Sequence, residues 1–440
     1  MKTYDAYKDS KVKWIGEIPK SWKLSKVKFI AKVYGGSTPN SSTEDFWNGN
    51  INWITTDDLG KLTSSVILKS RRTITNEGLK DCGASLLPVD SLIVSCRAPI
   101  GHLGILGIEA CTNQGCKGLV FNFNSNYKYF FYSFEIAKEA LNVLGKGTTF
   151  LELSGQLLKD FPIVLPAVLD QITIVNYLDN KTAQIDKIIS KKEKLLLLLE
   201  EERKAIINQA VTKGLSSDVK LKDSGVEWLG GIPEHWNIKK LKFVLKVKLQ
   251  YGANEQADEE NRLDPRYIRI TDFGNDGNLR NNTFKSLSLH KSKDYMLQEG
   301  DILFARSGAT VGKTFQFKNY EGKACFAGYL IKASPNEDII LSDFLYTYTK
   351  SSFYENWKNN IFIQATIQNI GADKYSTLLV PFPSIDEQKD ILEYLRKAQT
   401  KTNKVIYKIQ KEIELLNEYK QSIIFEAVTG KIDVRETKNV

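Results

Sequence analysis

Three places in the sequence hold residue types at spacings that could do chemistry. Ser307-Gly-Ala-Thr-Val-Gly-Lys-Thr314 is one residue away from a phosphate-cradling Gly-x-x-x-x-Gly-Lys-Thr loop, with Ser307 where the first glycine belongs. That glycine gives such a loop the backbone conformation that wraps phosphates. Asp264-Pro-Arg-Tyr267 resembles the Asp-Pro-Pro-Tyr of adenine methyltransferases, where polar groups hold an extruded base and an aromatic ring stacks on it. Here arginine replaces the second proline, and no glycine-rich strand–turn–helix for a methyl donor accompanies it, so a turn before a strand is the simpler reading. The three histidines, His102, His235 and His290, are not spaced for a shared helix face, which argues against a His-based metal or acid–base site. Five cysteines (Cys82, Cys96, Cys111, Cys116, Cys325) make an odd number without a Cys-x-x-Cys pair, against a disulfide framework or a zinc site. No catalytic residue, metal or cofactor is expected. An enzyme would rest on the broken phosphate loop alone.

The composition points to an anionic partner. Lys+Arg number 61 against 52 Asp+Glu, a net charge of +9, a mild excess that suits nucleic acid without requiring it. Hydrophobic content of 42% and charged content of 26% are globular averages and exclude a disordered or collagen-like chain. At 440 residues two or three domains are expected. Met1 to Ser10 lacks the apolar stretch of a signal peptide, and the longest aliphatic run, Leu195 to Leu199, is far too short to span a bilayer. A cytoplasmic protein without a membrane partner is expected.

The elements that must position any site are written twice. Lys8 to Trp22 (KDSKVKWIGEIPKSW) reappears as Lys222 to Trp236 (KDSGVEWLGGIPEHW), an offset of 214, and the match runs on to Phe29 and Phe243. Pro166 to Leu178 matches Pro383 to Leu395 at an offset of 217, and Ala210-Val-Thr212 matches Ala427-Val-Thr429. A weaker pair sets Asp90 to Gly101 against Asp301 to Gly312 at 211, which brings Arg97 and Arg306 into near-equivalent segments. In that pair the counterpart of the phosphate-loop segment, Cys96 to Leu103, has no Gly-Lys-Thr. The layout is module, helix, module, helix: residues 1–165, 166–214, 215–382 and 383–440.

The stretches 170–213 and 387–430 contain no proline, and no glycine before Gly430. Forty-four residues at 1.5 Å per residue make helices of about 66 Å each. Ser384 with Glu387 predicts a capping box for the second, and Gly214 and Gly430 stand where the helices should stop. Heptad rows run through Val175, Leu178, Ile185, Ile189, Leu196, Leu199 and Ile206 in the first, and Leu392, Leu395, Ile406, Ile409, Ile413, Leu416 and Ile423 in the second. Two helices with one seam register predict an antiparallel intramolecular coiled coil. A pseudo-two-fold axis would carry the modules to opposite ends of a rod. The alternative is that each helix packs on its own module.

In the modules, short β-branched and aromatic runs (51–56, 91–95, 267–271, 301–304) alternate with helical stretches (128–144, 341–359), an α+β pattern with a twisted sheet or incomplete barrel. The opening pattern Asp-Ser-x-Val-x-Trp-x-Gly-x-Ile-Pro-x-x-Trp occurs twice. With it come Tyr34-Gly-Gly-Ser-Thr-Pro39, Phe46-Trp-Asn-Gly-Asn-Ile-Asn-Trp53, Arg97-Ala-Pro-Ile-Gly101, Asn113-Gln-Gly115, Arg266 to Asp272, Phe304 to Gly312, and an exit ending Glu426-Ala-Val-Thr-Gly-Lys-Ile-Asp433. Over nearly the whole chain this resembles the specificity subunit of a type I restriction–modification system.

The resemblance implies a non-catalytic subunit with two target-recognition domains, each reading one half of an asymmetric, bipartite double-stranded DNA sequence. The two helices would set the unread gap and dock two methyltransferase subunits, with restriction/translocase subunits joining through the complex. A stand-alone methylation system is a second possibility, and the nucleotide-binding reading of Ser307–Thr314 a third. The first helix ends Thr212-Lys-Gly-Leu215, and the second module has Tyr251-Gly-Ala-Asn254 in place of the Gly-Gly-x-Thr-Pro loop, so the modules are expected to belong to different recognition classes. By side-chain type, the candidates for DNA contact are Thr38, Asn52, Arg71, Arg72, Arg97, Asn113 and Gln114 in the first module. In the second they are Asn254, Arg269, Asn278, Arg280, Arg306 and Lys313. Trp14, Trp22, Trp228 and Trp236 are expected to be core anchors.

Overall fold

The computed structural model describes residues 2–145, 152–226, 229–257, 260–274, 277–308, 310–363 and 369–435. Trp228 and Ala309 of the phosphate-loop-like stretch lie outside them. The chain forms two compact units, 1–192 with 411–440, and 193–410. Each contains one module, the start of one long helix and the end of the other. The helices run Val168–Lys213 and Ile385–Val428.

In the first unit a five-stranded sheet is ordered Ala31–Gly35, Cys116–Phe121, Leu92–Ser95, Leu103–Leu106, Val66–Ile67. Beside it Trp47–Ile54 pairs parallel with Ala110–Thr112 and antiparallel with Arg72–Ile74. The second unit repeats the plan in shorter form. Gln250–Tyr251, Leu330–Ala333, Ile302–Ala305 and Thr314–Gln316 make four strands, with Arg266–Ile268 parallel to Ala324–Phe326. Every residue of Leu92–Ser95 and Ile302–Ala305 is buried, as continuous apolar runs require. In each module the strand after the opening tryptophan pairs antiparallel with the last strand: Lys23–Lys26 with Pro162–Leu165, and Asn237–Lys240 with Leu379–Phe382.

A buried glutamine splices each helix to its module. Gln171 Nε2 donates to Pro166 O at 3.0 Å while its Oε1 accepts from Asn126 N at 2.9 Å. Gln388 Nε2 donates to Pro383 O at 3.0 Å and its Oε1 accepts from Leu341 N at 2.8 Å. The capping box expected at Ser384 forms by half. Glu387 N donates to Ser384 Oγ at 3.3 Å, but the Glu387 carboxylate turns to His235 Nε2 (3.0 Å) and Trp236 Nε1 (2.9 Å). The far ends stop at Gly214 (φ 75°) and Gly430 (φ 73°), and a Cβ on Gly430 would come within 2.4 Å of Pro19.

Within the first unit the helices are antiparallel: Asp186 meets Lys420 at 2.7 Å, and Lys192, further along, meets Glu412, further back, at 2.5 Å. Val175, Leu178, Ile185 and Ile423 are buried there, with Ile189 and Leu416 packed against them. In the second unit Leu395 is buried, Ile206 and Leu392 pack on its cluster, and Ile409 is buried. Leu196, Leu199, Ile406 and Ile413 are half-buried. The ion pairs of Lys192 and Lys420 at the edge of the seam fix register more than they add stability. Among the described residues no helix is long and apolar enough to cross a membrane.

Candidate nucleic-acid interface

The phosphate-loop resemblance ends at its exit. Gly308 and Gly312 have positive φ, but Thr314 opens a strand instead of a helix, so no helix N-terminus faces a phosphate. Tyr267 of the Asp-Pro-Arg-Tyr stretch is buried and donates its hydroxyl to Ala253 O at 2.7 Å, so it offers no face to a base. Burial pushes the Cys96, Cys111 and Cys325 thiols up to about 12, well away from a nucleophile's range.

That Tyr267 contact exposes a correspondence hidden in the sequence. In the first module Trp53, at the same strand position, donates Nε1 to Ser37 O at 2.9 Å. Ser37 N donates to Thr112 O at 2.8 Å, and Ala253 N to Phe326 O at 2.9 Å. Gly36 and Gly252 both lie so close to backbone that a Cβ would sit 1.9 Å from Asn113 O or 2.3 Å from Ala327 O. Tyr34-Gly-Gly-Ser-Thr-Pro39 and Tyr251-Gly-Ala-Asn254 are therefore one loop built twice, and Thr38 and Asn254 occupy its same exposed corner.

In the first module this loop gathers part of the expected set. Thr38 is hydrogen-bonded to Gln114, which is also exposed. Asn113 sits beneath, its N–H donating to Ile54 O at 2.9 Å and its Oδ1 buried without a partner. Trp47 Nε1 donates to Asn40 O at 3.3 Å, and the exposed Arg72 lies over the Trp47 ring. Asn52 does not face solvent freely. Its Oδ1 accepts from Ser70 N at 3.2 Å, and Ser70 Oγ donates to Arg72 O at 2.6 Å, which makes Asn52 a positioning residue for the Arg72 turn. Arg71 turns away to Asp57, and Lys61 and Arg71 together hold the Asp57 carboxyl below the usual carboxylate range. Arg97 is apart from the cluster and pairs with Glu152 at 3.3 Å.

In the second module the residues fall into two groups. Around Tyr251 lie Asn254 and Arg306, whose guanidinium is 4.9 Å from the Tyr251 ring and donates Nη1 to Gly328 O at 3.5 Å. Around the buried Asp272 lie Arg269, bonded through Nε at 3.1 Å and through Nη2 to Thr283 O at 2.6 Å, and the exposed Asn278 and Arg280. Lys313 is half-buried on a separate loop.

The pairing of Arg97 with Arg306 needs correction. Ser95 pairs with Cys116 and Ala305 with Leu330, so Arg306 stands at the place of the buried Cys96. Arg97, bridged to Glu152, corresponds to Ser307, bridged to Asn369. The identical aspartates misled the alignment. Asp90 is a left-handed turn residue (φ 66°) whose counterpart is Gly300 (φ 90°), not Asp301. A one-residue slip in extended chain turns a side chain to the opposite face.

Two supporting aspartates were missed. Asp58 accepts from Thr55 N (2.8 Å) and Arg71 N (3.0 Å). Asp272 accepts from Arg269 N at 2.7 Å and lies 3.9 Å from the buried Arg266, which donates Nη2 to Arg280 O at 2.6 Å. The offset of 214 between Asp58 and Asp272 equals that of the opening motif, so the repeat itself could have flagged them. Asp272→Ala strands Arg266 in the interior and should destabilise the second unit by about 3–5 kcal/mol. Asp58→Ala removes only bonds to neutral donors and should cost about 1–3 kcal/mol. Amide exchange at Arg266–Ile268 and Trp47–Ile54 measures each, and equal losses would contradict this account.

The family described as the type I restriction modification DNA specificity domain matches twice, over residues 19–197 and 233–415. The type I restriction enzyme MjaIX specificity subunit of Methanocaldococcus jannaschii is 29% identical over 310 residues, 68% of each chain. The MjaVIII specificity subunit of that organism is 23% identical over 428 residues, 95% of this chain and 94% of its own. A chain solved for the complex assembly and conformational transition of a type I R-M system superimposes with a TM-score of 0.71 at 14% identity, covering 94% of this chain and 99% of that one. The HsdS subunit from Thermoanaerobacter tengcongensis gives a TM-score of 0.52 at 14% identity, covering 94% and 98%. At these identities the two structures show a shared fold.

Proposed function

This chain belongs to the type I restriction–modification DNA specificity family, and from that premise we propose that its two modules read the two halves of one bipartite, asymmetric double-stranded DNA target. As a specificity subunit it supplies recognition and no chemistry of its own. The observation that carries the two-part reading is the loop built twice. Gly36 and Gly252 allow the same backbone approach, and Trp53 and Tyr267 pin the same carbonyl, while the exposed side chains differ. Thr38 and Gln114 in one module correspond to Asn254 and Gly328 in the other, so two unlike half-sites follow from one scaffold.

Polar and basic side chains on these loops supply both kinds of contact that a duplex needs. Exposed lysines beside them in the first module, Lys32 on the strand that leads into the loop and Lys69 before Arg72, suit phosphates, and the fixed amides and guanidinium suit base edges. The net charge of +9 strengthens encounter with DNA and makes it salt-dependent. The protein works in the cytoplasm.

The helix pair is the dock for two methyltransferase subunits, through which restriction/translocase subunits join. In the first unit Ile188 and Leu415 are 44% and 51% exposed, and in the second Leu198 and Val405 are 50% and 38% exposed. Under the offset of 217 these four residues form two repeat pairs, Ile188 with Val405 and Leu198 with Leu415. A repeated apolar stripe favours a partner present in two copies.

Exchange of residues 1–165 for another first module tests the two-part reading. The methylated motif of the host genome should change in one half-site and keep the other half and the gap. A swap that altered both halves would refute independent reading.

A further inference from the structure

The first module contains three arginines, and two of them are occupied: Arg71 by Asp57 and Arg97 by Glu152. Arg72 is held in another way. Its guanidinium carbon is 3.8 Å from the centre of the Trp47 ring and 5.4 Å from that of Trp53. At 3.8 Å the guanidinium lies on the indole face. The two indoles meet at 80° with centroids 5.2 Å apart, so they form a floor and a wall. Among the described residues no carboxylate or carbonyl takes the Arg72 side-chain N–H groups.

The walls are themselves fixed. Trp47 is 9% exposed and Trp53 4%. Their ring N–H groups donate to Asn40 O and Ser37 O, which ties both to the loop carrying Thr38. From the strand side, Ser70 Oγ donates to Arg72 O at 2.6 Å and accepts from Trp53 N at 3.2 Å. A long, flexible side chain is thus pre-set in plane and direction, which removes much of the ordering cost that a free arginine meets on binding.

We infer that Arg72 is a specificity-determining residue that reads a guanine in the half-site of the first module. A planar fork with its face covered and its edge open matches the O6 and N7 acceptors that guanine presents in the major groove. A phosphate needs charge but no fixed plane, and exposed lysines near the same loops, Lys32 and Lys69 among them, provide charge. The counterpart of Arg72 in the second module is Lys285, since Ser286 bridges Arg266 where Thr73 pairs with Asn52. Lys285 is a point charge paired with Glu260 at 3.5 Å, so the guanine reading belongs to the first half-site.

The inference rests on the first module being a DNA reader, and the test separates the two claims. The complex, isolated from its host through a tag on the full-length chain, captures duplexes from a randomised pool that are then sequenced. Wild type should enrich two half-sites, with guanine fixed at one or more positions of the first. Arg72→Ala should relax one guanine position by about 5- to 150-fold, the ~1–3 kcal/mol of one bidentate pair at 1.4 kcal/mol per tenfold. All other positions should stay as they were. Arg72→Lys keeps the charge and loses the fork, so it should relax the same position while holding overall affinity. If both variants keep the wild-type preference, or Arg72→Ala weakens all sequences alike while Arg72→Lys does not, Arg72 is no base reader and the inference falls. Loss of all capture by both variants would also overturn it. A wild-type complex that enriches no sequence would instead refute the function proposed above.

Discussion

Trp236→Phe is expected to destabilise its unit by about 1.5–3 kcal/mol, while the same change at Trp22 should cost far less. Both indoles are fully buried at repeat-equivalent places, under the glycine that ends a long helix. Their nitrogens differ. Trp236 Nε1 donates to the Glu387 carboxylate at 2.9 Å, a bond to a charged group that is worth about 1.5–3 kcal/mol. Trp22 Nε1 is buried without a partner, and phenylalanine removes that stranded donor along with some packing area. Alanine at either position should cost about 3–5 kcal/mol, because a large cavity opens beneath Gly430 or Gly214. The two units need not unfold together, so one melting curve does not report these values. Hydrogen exchange resolved by segment does, with probes at Ile423–Val428 for the first unit and Ile207–Val211 for the second. Equal costs for the two phenylalanine variants would show that the Glu387 contact adds nothing.

Insertion of four residues after Leu199 should change the methylated motif or abolish methylation. The insert lengthens one helix by about 6 Å and rotates everything beyond it, since four residues exceed one turn of 3.6. It also breaks the heptad phase, a stutter that locally unwinds a seam. If the helices set the unread gap, as the family resemblance implies, that gap grows by one or two base pairs, at roughly 3.4 Å per step. Seven residues keep the phase and add about 10.5 Å, three steps at most. Both values are ceilings, because the unaltered partner helix resists being outrun. The readout is the methylated motif in cells carrying each variant, with assembly of the complex checked by co-purification. Assembled, active variants that retain the original gap would sink the spacer role and leave the helices as a dock.

The sequence made the large plan readable, because a repeat carries its own control. The opening motif predicted where Trp22 and Trp236 pack, and the absence of proline and glycine predicted helices that the structure begins at Val168 and Ile385. Fine register was another matter. Asp90 and Asp301 look like partners, yet one sits at a left-handed turn and the other in the next residue's place, a difference of backbone conformation that residue identity does not record. Tyr251-Gly-Ala-Asn254 looked unlike Gly-Gly-x-Thr-Pro because the shared requirement, a missing Cβ against a carbonyl, falls on a single glycine. Arg71 and Arg72 are indistinguishable in sequence. Which of them remains open is decided by Asp57 and by the two tryptophans, through contacts across strands.

The division of the chain into units has a consequence for its making. Residues 193–410 are one uninterrupted stretch, so the second unit has all its parts once the ribosome has passed them. The first unit is interrupted by the whole of the second. Ile423, Ala427, Val428, Ile432 and Val434 complete the core that holds Tyr4, Ile18 and Trp22. Tyr7 and Lys431 fasten that closure, the former donating to Gly430 O at 3.0 Å and the latter to Glu17 O at 2.5 Å. Tyr4, Ile18 and Trp22 must therefore wait until Ile423 to Val434 have been made, with apolar surface open in the interval. A frameshift or stop codon just before Ile423 strikes first at the module of residues 1–165, although the whole of the second unit lies between them.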